Sequence, residues 1–138
     1  MRLVVDANVI FSSLIKDSIT RKLILFEDLR LFTPEYFYIE LEKHIDSIQE
    51  KSKLNKNTIE LLIDVIMSNI DVVPLDEYVK SVPEAYKIMK NIDEYVTAFL
   101  ALAMSLKADG IWSNYPDLSK QSKIKTYTTK ELIEKFNL

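Results

Sequence analysis

The sequence contains no cysteine, a single glycine and a single histidine among its 138 residues. Without cysteine there are no disulfides and no thiolate metal sites, so any metal must be bound by oxygen ligands or by His44. Hard cations such as Mg²⁺ or Mn²⁺ are therefore the candidate cofactors. A single glycine cannot form a glycine-rich loop around a phosphate, which excludes P-loop and dinucleotide-binding proteins.

The chain also lacks a long hydrophobic run and an excess of positive charge. Its longest apolar stretch, Val96 to Leu106, is interrupted by Thr97 and Ser105 and is too short to span a bilayer. No charged-then-apolar leader is recognised, so we expect no membrane segment and a cytoplasmic location. With 18 Lys and Arg against 21 Asp and Glu, the net charge is −3, which excludes nucleic-acid binding by bulk charge alone.

What the sequence does contain predicts one α/β domain over residues 1–138, because 48% hydrophobic residues suffice for one core. Short apolar runs predict strands at 3–5, 31–32, 71–74, 110–112 and 125–127. Helical spacing predicts helices near 9–14, 20–29, 34–45, 55–70, 82–90, 91–106 and 129–136, with Thr33 as N-cap and Pro34 at the first helical position of the third. This alternation predicts a parallel sheet of about five strands covered by helices on both faces.

Polar residues directly follow two of the predicted strands. Asp6 follows the first strand, and Ser113, Asn114 and Asp117 follow the fourth. Ligands of parallel sheets bind outside the carboxyl ends of the strands, so these side chains are candidates for a functional site. The structural alternatives are that Asp6 caps the next helix and that Asp117 is a turn residue after Pro116.

Two further acids lie on predicted helices. Glu40 lies in the helix after the second strand, where pairing with Lys43 or His44 is the structural alternative. Asp93 is near the start of the apolar helix, where an acid complements the helix macrodipole whether or not it binds a ligand. Neither position alone indicates chemistry.

The joint order of these features resembles the PIN domain over nearly the whole chain. The segments that carry the resemblance are 4–9 (VVDANV), 38–41 (YIEL), 99–103 (FLALA) and 110–114 (GIWSN), with Asp117 and Leu118. In that family the acids cluster around one or two divalent cations and hydrolyse RNA phosphodiesters. The resemblance implies the same fold and chemistry here.

The sequence departs from the family pattern at two positions. Val96 stands three residues before Phe99, where family members usually have Asp, and Tyr115 follows the Ser-Asn step, where many have an acid. Asp93, one helical turn or about 5 Å before Val96, could serve instead. Asp117 could likewise replace the acid missing at Tyr115.

From this pattern we predict a site for Mg²⁺ or Mn²⁺ built on four acids. Asp6 is the central ligand, Glu40 and Asp93 are outer or water-mediated ligands, and Asp117 is peripheral. Mg²⁺ needs only one or two protein carboxylates beside water and substrate phosphate oxygens. Asn8 and Ser113 are candidates for orienting a carboxylate or a water.

An RNA substrate also requires cations on the protein to offset repulsion from an acidic site. Two groups of lysines could supply them, although solvated surface lysine is the structural alternative for both. The groups are Lys120, Lys123, Lys125 and Lys130, and Lys43, Lys51, Lys53 and Lys56. Resemblance to VapC-type toxins implies a small antitoxin partner and a homodimer as well.

Three functions follow as hypotheses. The first is a Mg/Mn-dependent endoribonuclease similar to the toxin of a VapC-type toxin–antitoxin pair, with activity weakened by the two departures. The second is a degenerate PIN module that binds RNA or a protein partner without cutting. The third is a receiver domain or phosphatase using Asp6 as phosphoryl acceptor. The third is disfavoured because Asn8 stands where dehalogenase-type phosphatases have Asp and the first strand lacks a receiver's acidic pair.

Overall fold

Five short strands pair in one parallel sheet in a computed structural model that describes residues 1–16 and 18–138. The strands are β1 (Arg2–Val5), β2 (Arg30–Pro34), β3 (Ile70–Val73), β4 (Gly110–Trp112) and β5 (Thr126–Tyr127). Their order across the sheet is β3-β2-β1-β4-β5, and every neighbouring pair is parallel. The predicted five-strand parallel sheet is confirmed.

Within the described residues, helices follow every strand except β4, after which a 3₁₀ turn (Pro116–Lys120) leads to β5. The helices are α1 (Ala7–Ile15), α2 (Ser18–Ile24), α3 (Phe37–Ser52), α4 (Lys56–Met67), α5 (Val82–Met89), α6 (Thr97–Leu106) and α7 (Thr129–Phe136). From β1 the chain proceeds through β2 to β3 at one edge of the sheet. It then returns to β4, on the other side of β1, and ends at β5 on the opposite edge. Because parallel crossovers are right-handed, this reversal places helices on both faces, as predicted. Helix α6 packs on β1, β2 and β4.

The third helix begins later than the sequence predicted. Thr33 and Pro34 are not its N-cap and first residue, because both belong to β2, where they pair with Val72 and Val73. The Thr33 hydroxyl donates to the Val5 carbonyl at 3.1 Å, so it ties β2 to β1. Pro34 ends the strand, a position where proline costs no ladder bond of its own.

The apolar helix expected over 91–106 is also shorter, because α6 begins only at Thr97. Residues Glu94–Val96 form a 3₁₀ turn, and Asp93 before it has extended backbone. The Asp93 carboxylate accepts the Tyr95 amide at 3.0 Å, so it caps this turn instead of occupying the first turn of α6. The expected one-turn relation between Asp93 and Val96 is therefore wrong.

None of the helices in residues 1–16 and 18–138 combines the length and apolar character needed to cross a bilayer. The cytoplasmic location stays a prediction.

Gly110, the single glycine, is required by the close approach of β5. A Cβ atom there would lie 2.6 Å from the Tyr127 ring and 2.8 Å from the Lys125 carbonyl oxygen. We expect Gly110→Ala to lower the free energy of unfolding by about 2 kcal/mol, because overpacking shifts neighbouring backbone. Urea unfolding measures this loss.

Adding Tyr127→Leu to Gly110→Ala separates the two contacts. The smaller side chain removes the ring contact but leaves the Lys125 carbonyl, so the double variant should recover only part of the loss. Wild-type stability in Gly110→Ala would contradict the geometry.

Candidate active site

Asp6 lies at the point where the strand order reverses. Strands β1 and β4 are neighbours, and the connections that leave them run in opposite directions across the sheet. Such a reversal opens a crevice at the carboxyl ends of the strands, where ligands of open α/β sheets bind. Asp6 and Ser113 stand directly after these two strands, and the Ser113 hydroxyl donates to Asp6 Oδ2 at 2.7 Å. The two predicted residues therefore meet.

Asp6 is buried at the N-terminus of α1. The residue is 2% exposed, and although it occupies the N-cap position, its side chain makes no capping hydrogen bond of normal geometry. The structural alternative, a residue at the helix start, therefore describes its position, and the Ala7 and Asn8 amides also interact with its carboxylate. The side-chain donor to the carboxylate is Ser113.

A cleft of about 320 Å³ gathers most of the predicted site. It is lined by Asp6, Ala7, Asn8, Glu40, His44, Asp93, Tyr95, Val96, Phe99 and Tyr115. Of the predicted residues, Asp6, Glu40, Asp93 and Asn8 therefore share one cavity. Asp117 and Ser113 do not line it. Val96, where the family pattern has an acid, contributes apolar wall.

Glu40 combines the predicted pairing with a place in the cleft. Its carboxylate oxygens lie 3.9 Å from Lys43 Nζ and 3.8 Å from His44 Nε2. Ion pairs of this length at a partly solvated surface are weak, so a ligand could replace them; the Tyr36 hydroxyl also hydrogen-bonds to Glu40. The His44 ring also packs against the Phe11 ring, with 5.4 Å between the ring centroids, and His44 lines the cleft.

Burial raises the pKa of the Asp6 carboxyl above its ordinary value. The Ser113 hydroxyl and the amides of Asn8 and Ala7 act against this rise, whereas the negative charge of Glu40 adds to it. Two ionised carboxylates on one cleft repel each other. A bound cation would reduce that repulsion.

The raised pKa of Asp6 predicts a stability difference that depends on pH. Between 3.8, its ordinary value, and its higher value in the folded protein, the folded state binds more protons than the unfolded state. The contribution of Asp6 to stability is therefore fully present below 3.8 and is lost as pH rises through the folded pKa. In metal-free urea unfolding, we expect wild type to lose stability relative to Asp6→Asn as pH rises from 3 to 7.

Asp117 provides the internal check on that measurement. Hydrogen bonds from Lys120 and Tyr115 lower the Asp117 pKa. The stability that Asp117 contributes is therefore lost on acidification, and equally in wild type and in Asp6→Asn. The difference between the two proteins consequently isolates Asp6. A difference that did not vary with pH would contradict the burial argument.

Tyr115 joins two predicted acids that the sequence treated separately. Its hydroxyl lies 2.8 Å from Asp93 Oδ2 and 2.8 Å from Asp117 Oδ2, and its backbone amide donates to Ser113 Oγ at 2.9 Å. Hydrogen bonds to Asp117 and Asp93 raise the pKa of the Tyr115 hydroxyl, which stays protonated. From the sequence, this position was interpreted as a missing acid or as an aromatic that could stack a base, and these contacts were not predicted. The signal in the sequence was a tyrosine, Tyr115, two residues before Asp117 and shortly after the end of β4.

The residues present fit one cation held by two carboxylates better than a larger ligand set. Among residues 1–16 and 18–138, no three histidine, aspartate or glutamate side chains are grouped so that they could hold a metal ion. Asp6 and Glu40 offer hard oxygen donors on one cleft, the minimum that Mg²⁺ requires beside water and phosphate. The four-ligand site stays a prediction.

The lysines near β5 are largely engaged within the chain. Lys120 Nζ donates to Asp117 Oδ1 at 2.6 Å, Lys123 pairs with Glu84 at 3.2 Å, and Lys125 lies 4.7 Å from the centre of the Tyr127 ring. These contacts support the structural alternative for three members of the group. Binding of RNA by these lysines stays a prediction.

A protein-family model described as a PIN domain matches residues 4–137. No curated protein matches the sequence.

Proposed function

The chain belongs to the PIN-domain family, and from this premise we propose that it is a metal-dependent endoribonuclease resembling the toxin of a VapC-type system. The observation that carries the proposal is the buried Asp6 carboxylate at the strand reversal, sharing one cleft with Glu40. A buried acid whose pKa is raised by its surroundings, in a cleft, is a candidate functional group on physical grounds.

The proposed cofactor is Mg²⁺ or Mn²⁺, since PIN domains generally use divalent metal ions. Asp6 and Glu40 would hold it. When bound, such a cation lowers the pKa of a coordinated water and neutralises charge on the leaving oxygen of a phosphodiester. Of the further predicted ligands, Asp93 lines the same cleft, and Asp117 is connected to it through the Tyr115 hydroxyl.

The other residues of the cleft orient and shield the reacting groups. Ser113 donates to Oδ2 of Asp6, which fixes the carboxylate plane. Val96 and Phe99 form an apolar wall that lowers the local dielectric and strengthens every charge interaction inside the cleft. His44 Nε2 lies 3.8 Å from Glu40, and His44 lines the same cleft.

The proposed partners are RNA, a small antitoxin protein and a second copy of the chain. RNA is the substrate that the family fold supports, and its phosphates would be brought to the acids by cations such as Lys43, which lies 3.9 Å from Glu40. The antitoxin and the homodimer are inferred from the likeness to VapC-type toxins.

Incubation of the purified protein with a mixture of structured and unstructured RNAs tests the activity. Cleavage products should form in Mn²⁺ and be absent in excess chelator. A variant carrying Val96→Asp and Tyr115→Asp should cut faster, because both positions face the cleft. If neither protein yields products in Mn²⁺, the nuclease proposal is wrong.

The second candidate function is a PIN module that binds a protein partner without cutting, and a large apolar groove favours it. The groove has a volume of about 700 Å³ and lies between α3 and α5. Its walls include exposed side chains that rarely face water together, among them Tyr38, Ile39, Leu75, Tyr86 and Tyr95.

Two details of the groove indicate the chemistry of such a partner. Glu35 and Glu94 lie on its walls, so a segment with basic residues is favoured. Thr97 Oγ1 is buried there without a hydrogen-bond partner among the described residues. Tyr95 lines both groove and cleft, so a bound segment would lie next to the acids. Binding that survives Asp6→Asn but is lost in Tyr86→Glu would support this function.

A further inference from the structure

We infer that the Tyr115 hydroxyl holds Asp93 and Asp117 together as a latch that needs no cation, leaving Asp6 and Glu40 as the acids open to one. The name Tyr115 latch denotes these three residues, Asp93, Tyr115 and Asp117. The inference rests on the proposed function only in taking Asp6 and Glu40 as the pair that binds metal. Tyr115 is a positioning residue in this arrangement.

Each oxygen of the two latch carboxylates lies within hydrogen-bond distance of a protein group. One oxygen of each meets a local partner: Asp93 Oδ1 accepts the Tyr95 amide at 3.0 Å, and Asp117 Oδ1 accepts Lys120 Nζ at 2.6 Å. The other oxygen of each lies 2.8 Å from the Tyr115 hydroxyl. A cation at these acids would therefore compete with those groups for the same oxygens.

The hydroxyl stands where a cation would otherwise be needed. Two carboxylates that point at one place repel each other unless a positive group lies between them. A phenol supplies one proton, which it donates to one carboxylate at a time, while Lys120 offsets the charge of Asp117. The phenol therefore replaces the cation with a hydrogen bond, at a position where the family pattern has a further acid.

The latch is connected to Asp6 through the backbone. The Tyr115 amide donates to Ser113 Oγ at 2.9 Å, and that hydroxyl in turn donates to Asp6 Oδ2 at 2.7 Å. Tyr115 also lines a second cleft of about 220 Å³ beside the first, so its side chain lies between the two. A change at Tyr115 would thus reach both the two latched acids and the orientation of Asp6.

Thermal unfolding in chelator and in Mn²⁺ tests the latch. Tyr115→Phe keeps the ring and removes the hydroxyl, which leaves two carboxylates without their shared donor. In chelator its Tm should fall by about 5 °C below that of wild type. Mn²⁺ should restore most of that loss. Tyr86→Phe, at an exposed tyrosine on α5, is the matched control and should change neither value.

An Asp6→Asn background separates this inference from the proposed function. With Tyr115 intact, Asp6→Asn should show no Tm response to Mn²⁺, because the latched acids do not bind it. The double variant Asp6→Asn with Tyr115→Phe should regain a response of about 5 °C, from the two released carboxylates.

The inference is overturned if the double variant stays unresponsive, or if Asp6→Asn keeps a Mn²⁺ response that Asp117→Asn then removes. A different result separates the two proposals. If wild type bound no Mn²⁺ but the Tm of Tyr115→Phe rose in Mn²⁺, the proposed metal site would be wrong and the latch would be supported.

Discussion

Asp6→Asn is expected to lower RNA cleavage in Mn²⁺ by on the order of 100-fold or more, and to remove Mn²⁺ binding with it. Loss of a group that merely orients a metal ligand costs 10–100-fold, so loss of the central ligand should cost at least as much. An amide keeps the shape of the side chain and can still accept from Ser113, so the fold should persist. Calorimetric titration of Mn²⁺ and a timed cleavage assay measure the two effects independently.

Asp64→Asn is the matched control for that experiment. Asp64 is exposed on α4 and does not line the cleft, so the same chemical change there removes one charge without touching the site. Equal Mn²⁺ affinity in wild type and Asp6→Asn would contradict the assignment of Asp6. If Asp6→Asn lost Mn²⁺ binding but wild type cleaved no RNA, the binding module would be favoured over the nuclease.

The metal-free stability of Asp6→Asn adds a separate reason to expect a functional role. Burial and the charge of Glu40 both disfavour the ionised Asp6, so the wild-type residue destabilises the fold near neutral pH. A destabilising acid that is retained in a cleft is typical of sites where strain serves binding or catalysis. Asp6→Asn should therefore be at least as stable as wild type at pH 7 without metal.

The sheet could be predicted from the sequence because its central strands, β1 and β4, are almost wholly buried. Runs such as 3–5 and 110–112 have no polar residue to mark an exposed side, and the helices between them have clear spacing. The start of α3 could not be predicted. Thr33 and Pro34 are as suitable for a helix start as for a strand end, and pairing of Pro34 with Val73 decided between them.

Site residues could be predicted where they directly follow a strand. Contacts between residues that are far apart in the sequence and lie in loops could not. Asp6 and Ser113 follow adjacent strands, so strand order alone brings them together. Asp93 was misplaced because its carboxylate caps a 3₁₀ turn, which no helical spacing reveals. The contact of Tyr115 with Asp93 and Asp117 depends on how two loops pack, and a comparison of motifs sees only the absent acid.

The two departures from the family pattern therefore have different structural consequences. Val96 is buried and adds apolar surface to the wall of the cleft, so it removes a ligand without a replacement. Tyr115 removes a ligand and also engages two others. Restoring an acid at Tyr115 should therefore change metal binding more than restoring one at Val96, since it frees Asp93 and Asp117 as well.

Trp112→Ala is expected to lower the free energy of unfolding by about 3–5 kcal/mol, a large part of the stability of a domain of this size. Trp112 is fully buried on β4, pairs with Val5 and Tyr127 in the sheet, and its indole N–H donates to Thr129 Oγ1 at 3.0 Å. Truncation would leave a cavity under the strand that carries Ser113.

Trp112→Phe separates packing from the hydrogen bond in that experiment. The smaller ring fills much of the cavity but leaves Thr129 Oγ1 without the indole donor, so the loss should be roughly half that of Trp112→Ala. Because Trp112 is the single tryptophan, urea unfolding must be followed by far-ultraviolet circular dichroism instead of fluorescence. Equal losses in both variants would mean that the hydrogen bond, and not the filled volume, anchors β4. In that case the contact with Thr129, the first residue of α7, would hold β4 and therefore position Ser113 beside Asp6.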